Sequence, residues 1–65
     1  MYLLKTKGTT KIPDYVQVRD NNFALINHIT LNKINEYIDT LDIDNKQKIK
    51  DIIKKYPFGK IIKID

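Results

Sequence analysis

The sequence contains no cysteine, no serine and no tryptophan, and it has a single histidine, His28. Without cysteine, disulfides and thiolate metal sites are excluded. Without serine or cysteine, the usual pairing of a nucleophile with histidine cannot be built. The remaining acid–base candidate is the pair His28 and Asp14. We instead interpret His28 as a partly exposed strand residue. The sequence therefore predicts no catalytic residues and a protein that is not an enzyme.

Glycine is almost as scarce, since Gly8 and Gly59 are the only two. A glycine-rich phosphate loop is therefore excluded. The run Asp42-Ile43-Asp44-Asn45 resembles the start of a calcium loop, but such a loop needs glycine at its sixth position and glutamate at its twelfth. Gln47 and Ile53 occupy those positions. We therefore expect no metal and no cofactor.

Long apolar runs are missing as well. The stretch from Met1 to Lys5 is too short for a signal peptide, and nothing approaches the length of a membrane span. We therefore expect a cytoplasmic protein that does not contact a membrane.

The composition is that of a small folded domain. The chain has 65 residues, of which 42% are apolar and 31% are charged, a globular balance rather than a disordered one. We predict one domain spanning 1–65. A chain of this size buries only about 60% of the surface that its unfolded form exposes. Small domains often compensate with disulfides, metal or a partner chain, and a partner chain is the option left open here.

The central stretch from Tyr15 to Leu41 predicts a β-hairpin that runs into an amphipathic helix. Asn21 and Asn22 suit a two-residue turn, because asparagine tolerates positive φ. This turn pairs Val18 with Leu25. One face of the hairpin would then carry Val16, Val18, Phe23, Leu25 and Ile29, and the other Tyr15, Gln17, Arg19, Ala24, Ile26 and His28.

Two helices are predicted after the hairpin. Thr30 is a candidate N-cap for the first, and Asp44 with Gln47 resembles a capping box for the second. Pro57 should end the second helix, because the residue before proline avoids helical geometry. The apolar stripes are Leu31, Ile34, Tyr37, Ile38 and Leu41 on the first helix and Ile49, Ile52, Ile53 and Tyr56 on the second.

Further strands are predicted at 2–7 and 60–64, so the fold class is α+β with the order β-β-β-α-α-β. About four strands would form a small antiparallel sheet with the helical hairpin packed on one face. The strand order 4-1-2-3 is favoured over 1-2-3-4. The expected core is Leu25, Ile34, Ile38, Ile49 and Ile53.

The second face of this sheet would be left bare, and that suggests an interaction surface. We predict that Tyr15, Ile26, His28 and Ile61 lie on it and that the chain forms a homodimer. Pairing through the edge of the last strand, 60–64, is the alternative geometry. The function indicated is that of a small regulatory or interaction protein that binds another macromolecule, although a fold alone does not determine the partner.

Nucleic-acid binding is the alternative function. The net charge is +4, and lysines are concentrated in the second helix. Such lysines can neutralise phosphates, and aromatic rings on a sheet can stack on bases. The residues would be Lys46, Lys50, Lys54 and Lys55, with Arg19 and Tyr15 on the hairpin. The acidic segment before this helix favours a simpler interpretation, in which the two helices attract each other and the lysines form a solvated face.

Overall fold

Residues 1–64, which the computed structural model describes, form four β-strands and two α-helices in the predicted order. This confirms the α+β fold class. The strands are β1 Tyr2–Thr6, β2 Tyr15–Arg19, β3 Leu25–Thr30 and β4 Ile61–Lys63. A 3₁₀ turn, Leu31–Lys33, leads into α1 Ile34–Thr40, and α2 spans Lys46–Lys55.

The sheet is antiparallel with the order β3-β2-β1-β4, which confirms the favoured order 4-1-2-3. Leu3 of β1 lies between Val18 of β2 and Ile62 of β4. All three side chains are buried. Because side chains alternate along a strand, these residues define the face of the sheet that carries the core.

Both helices cover this face. Ile34 and Ile38 of α1 and Ile49 and Ile53 of α2 are buried in one cluster with the strand residues. Helical spacing of three and four residues places each pair on one stripe, as predicted. The remaining stripe residues pack partly buried around the cluster: Leu31, Tyr37, Leu41, Ile52 and Tyr56.

The predicted hairpin register is wrong. Val18 pairs with Asn27 rather than Leu25, and a β-bulge follows, so that Arg19 pairs with Leu25. The turn is longer than two residues because the Asp20 carboxylate accepts hydrogen bonds from the backbone N–H groups of Asn22 and Ala24, both at 2.9 Å. An aspartate at the start of a turn commonly organises it in this way.

Two side chains therefore leave the predicted core face. Leu25 is 51% exposed and Phe23 is 42% exposed, so neither belongs to the core. A bulge inserts one residue into a strand, and this shifts the alternation of side chains beyond it. Ile29, in contrast, pairs with Val16 and packs against the core as predicted.

Thr30 occupies the N-cap position of the 3₁₀ turn, but neither predicted capping side chain makes a capping hydrogen bond. Residue Asn45, in the left-handed region at φ 61°, precedes α2, and no side chain caps that helix either. The end of α2 is as predicted: Tyr56, just before Pro57, is extended at φ −72° and ψ 143°.

Candidate interaction surface

The open face is the side of the sheet opposite the helices. Its residues follow from the register and the alternation of side chains. They are Tyr2, Leu4 and Thr6 of β1, Tyr15, Gln17 and Arg19 of β2, Leu25, His28 and Thr30 of β3, and Ile61 and Lys63 of β4. Within residues 1–64, both helices lie on the other side, so the open face has no covering layer.

A cluster of rings and a guanidinium occupies one end of the open face. The Tyr2 and Phe23 rings meet edge to face, with centroids 5.7 Å apart. The Arg19 guanidinium lies 4.7 Å from the Phe23 centroid, and its Nη1 donates a 2.9 Å hydrogen bond to the Phe23 carbonyl oxygen. Its Nη2 donates to Oε1 of Gln17 at 2.9 Å. These bonds and ring contacts hold the cationic group beside Phe23 and Gln17.

Two of the predicted interaction residues meet at the other end. The Tyr15 and His28 rings lie across β2 and β3 with centroids 4.2 Å apart and planes inclined by 33°. Asp14 is engaged elsewhere, since its Oδ1 accepts a 2.7 Å hydrogen bond from the Gly8 N–H. Among the described residues, no hydrogen bond joins Asp14 to His28, so the acid–base candidate is not assembled.

The other two predicted interaction residues lie at opposite edges of the sheet. Ile61 is in β4 and pairs with Leu4, whereas Ile26 is the extra residue of the β3 bulge. Their exposed fractions are 48% and 52%. The structure therefore places all four predicted residues on β2, β3 or β4, but it does not bring them into one cluster.

Sequence reasoning missed Leu25 and Phe23 as surface residues, because it assigned both to the core. Their position depends on the turn from Asp20 to Ala24. The signal for that turn was present in the sequence, since aspartate at the first position of a turn bonds to amides two and four residues later. With Leu25 and Phe23 added, the open face is more apolar than predicted.

The lysines of α2 face a different part of the molecule. Lys50 Nζ lies 2.6 Å from Oδ1 of Asp39, and Lys46 Nζ donates to the Asp39 carbonyl oxygen at 3.0 Å. Both lysines therefore bind α1, which is the helix attraction that the charge pattern indicated. Lys54 and Lys55 are exposed.

The predicted nucleic-acid surface is divided as a result. Arg19 and Tyr15 lie on the open face, and α2 lies on the opposite side of the sheet. A single strand of nucleic acid therefore cannot contact the α2 lysines and stack on Tyr15 in the way that the sequence suggested. Within residues 1–64, no three His, Asp or Glu side chains are grouped so that they could hold a metal ion.

Comparisons with models of protein families, with curated proteins and with solved structures find no match to this chain. None of the helices in the described part of the chain combines the length and apolar character needed to cross a bilayer.

Proposed function

We propose that this chain is a small cytoplasmic, non-enzymatic interaction protein that binds another protein through its open face. The observation that carries the proposal is the absence of a covering layer on that face within residues 1–64. Leu25, Ile26 and Ile61 are each about half exposed there or at its edges. Contiguous apolar surface on a folded domain usually marks an interaction site.

A second copy of the chain is the first partner to test. Two-fold dimers are the commonest assemblies, and their interface uses the same surface of both copies. The small size of the domain adds a reason, because a 65-residue chain gains proportionally more from extra buried surface than a larger one. Face-to-face packing of two sheets would bury the apolar side chains of both open faces.

The ring cluster supports the proposal in a second way. Tyrosine and arginine are enriched among the residues that contribute most to binding. Tyr2, Arg19 and Phe23 already hold one another in place through ring contacts and a hydrogen bond. A pre-ordered surface loses less side-chain entropy on binding, so more of its contact energy remains as affinity.

Sedimentation equilibrium tests self-association, with Leu4→Lys as the decisive variant. Leu4 lies on β1, one of the two inner strands, and so is not part of either sheet edge. The parent should show a mass that rises from 7.7 kDa towards twice that value with concentration. Leu4→Lys should remain a monomer, because an ammonium in the middle of an apolar interface is costly to desolvate.

Ile12→Lys is the matched control. Ile12 is 54% exposed in the loop between β1 and β2 and belongs to none of the strands that form the open face, so this variant should dimerise like the parent. A parent that stays monomeric at high micromolar concentration would refute self-association. A dimer that survives Leu4→Lys, in a variant whose circular dichroism spectrum is unchanged, would assign the contact to the strand edges at β3 or β4 instead.

Nucleic-acid binding is the second candidate, and one observation favours it on the open face. None of the four strands contains an aspartate or glutamate, whereas Arg19 and Lys63 contribute cations to that face. Aromatic rings beside cations are typical of surfaces that bind single strands. Fluorescence anisotropy with labelled single-stranded RNA and DNA tests this, and true binding should weaken steeply as salt is raised.

Variants separate the two possible nucleic-acid surfaces. Binding on the open face should be lost in Arg19→Gln and retained in Lys54→Glu. Binding through α2 should show the reverse pattern. Lys54 is the better α2 probe than Lys50, because a glutamate at 50 would face Asp39 and disturb the helix pair. Anisotropy that does not change at low salt would eliminate this candidate.

A further inference from the structure

Lys5 is a buried cation. It lies on the core face of β1, and it is only 4% exposed. Its Nζ donates a 2.7 Å hydrogen bond to the carbonyl oxygen of Tyr56 and lies 4.6 Å from the centroid of the Phe58 ring. Tyr56 follows the last turn of α2, so the ammonium also interacts favourably with the negative end of that helix.

These contacts leave part of the hydrogen-bonding capacity of the Lys5 ammonium unused. A lysine ammonium has three N–H donors, and one of them is used within the described residues. No carboxylate in residues 1–64 forms an ion pair with Lys5. A buried charge is costly unless it is paired, so an anion that approached Lys5 would be attracted strongly.

Lys5 also lines a groove between the two helices. The groove has a volume of about 340 Å³, which is within the range of small-ligand sites. Leu31, Ile34 and Ile53 supply apolar walls. The polar residues that line it are Lys5, Asn35, Gln47, Lys50, Asp51 and Lys54.

The side chains that line the groove carry more positive than negative charge. Lys50 is paired with Asp39, and the Asp51 carboxylate accepts a 3.2 Å hydrogen bond from Nε2 of Gln47. Lys5 and Lys54 have no carboxylate partner among the described residues. The groove is therefore lined by three lysines, Lys5, Lys50 and Lys54, and by a single carboxylate, that of Asp51, so its lining carries a net positive charge.

We propose that this interhelical groove binds the phosphate group of a small phosphomonoester. Lysine binds phosphate as a point charge, and a phosphate monoester carries between one and two negative charges near neutral pH. The Lys5 and Lys54 ammonium groups would supply the charge, and the Asn35 amide would supply a further hydrogen bond. The groove lies on the helix side of the sheet, so the proposal is independent of the open face.

The test is a titration of the ¹⁵N-labelled chain with inorganic phosphate, followed by two-dimensional NMR at fixed pH and ionic strength. Amide signals of residues that line the groove, such as Asn35 and Gln47, should shift and saturate. Sodium chloride and sodium acetate at matched ionic strength should produce no saturating shift. Saturation with acetate at the same concentration would show a general carboxylate or anion site and would overturn the assignment to phosphate.

Lys54→Gln and Lys55→Gln form a matched pair, because both remove one exposed charge from the last turn of α2 but only Lys54 lines the groove. Lys54→Gln should weaken phosphate binding about three-fold or more, and Lys55→Gln should leave it nearly unchanged. Lys5→Met should weaken it at least about ten-fold. Equal losses in the two Gln variants, or shifts that never saturate in the parent, would refute the site even if Lys5→Met failed to fold.

Discussion

Leu25 of β3 lies directly opposite Arg19 of β2, beside the bulge in which Ile26 is the extra residue. This pairing puts a leucine that is 51% exposed next to a guanidinium held under the Phe23 ring. The bulge thus adds apolar surface to the open face, while Ile29, further along β3, still packs against the core. Because the bulge places Leu25 outside the core, Leu25 should contribute little to the stability of the fold.

Ile38→Ala and Leu25→Ala should differ strongly in their effect on stability. Ile38 is completely buried, and truncating such a side chain typically costs about 2–5 kcal/mol, comparable to the whole stability of a small domain. Ile38→Ala should therefore be largely unfolded at room temperature. Leu25→Ala should cost less than about 1 kcal/mol, because much of the side chain is already in water. Thermal melts at low micromolar concentration measure both, and similar melting temperatures for the two variants would contradict the register.

Thr30→Val should leave the stability unchanged or raise it by up to about 1 kcal/mol. The Thr30 hydroxyl is buried and has no hydrogen-bond partner in residues 1–64, so an isosteric methyl removes an unsatisfied polar group. For a domain of this size, 1 kcal/mol corresponds to roughly 4–8 °C in melting temperature. Thr30→Ser is the control, since it keeps the hydroxyl and loses the methyl group, and it should melt lower. A capping threonine would behave in the opposite way, and a clear loss of stability in Thr30→Val would restore that role.

The two glycines should tolerate alanine to different degrees. A Cβ at Gly8 would overlap the carbonyl oxygens of Ile12 and Pro13, so the loop would have to open. A Cβ at Gly59 would meet open space. The cost of an alanine there comes only from the left-handed backbone, at φ 81°. Gly59→Ala should therefore cost about 1 kcal/mol, and Gly8→Ala at least about 2 kcal/mol. Urea denaturation of both variants measures the difference, and equal midpoints would show that the Gly8 loop adapts.

Much of the architecture was predictable because it depends on local patterns. The stripes that include Ile34, Ile38, Ile49 and Ile53 specify which side of each helix is buried. Pro57 specifies where α2 ends. The candidate site was less predictable. The sequence pattern assigned three residues correctly to the open face: Tyr15, His28 and Ile61. It wrongly assigned Leu25 and Phe23 to the core.

The sequence by itself therefore determined the order of the elements and the buried stripe of each helix, since both follow from spacing along one element. Only the tertiary structure decided the face of Leu25, because a side chain in a strand changes sides with a shift of one residue in register. It also decided the burial of Lys5, a residue type that is expected in solvent. Leu3 faces the core, and because side chains alternate along a strand, Lys5 lies on the same side of the sheet. The carbonyl group of Tyr56, at the end of α2, accepts a hydrogen bond from the Lys5 ammonium there.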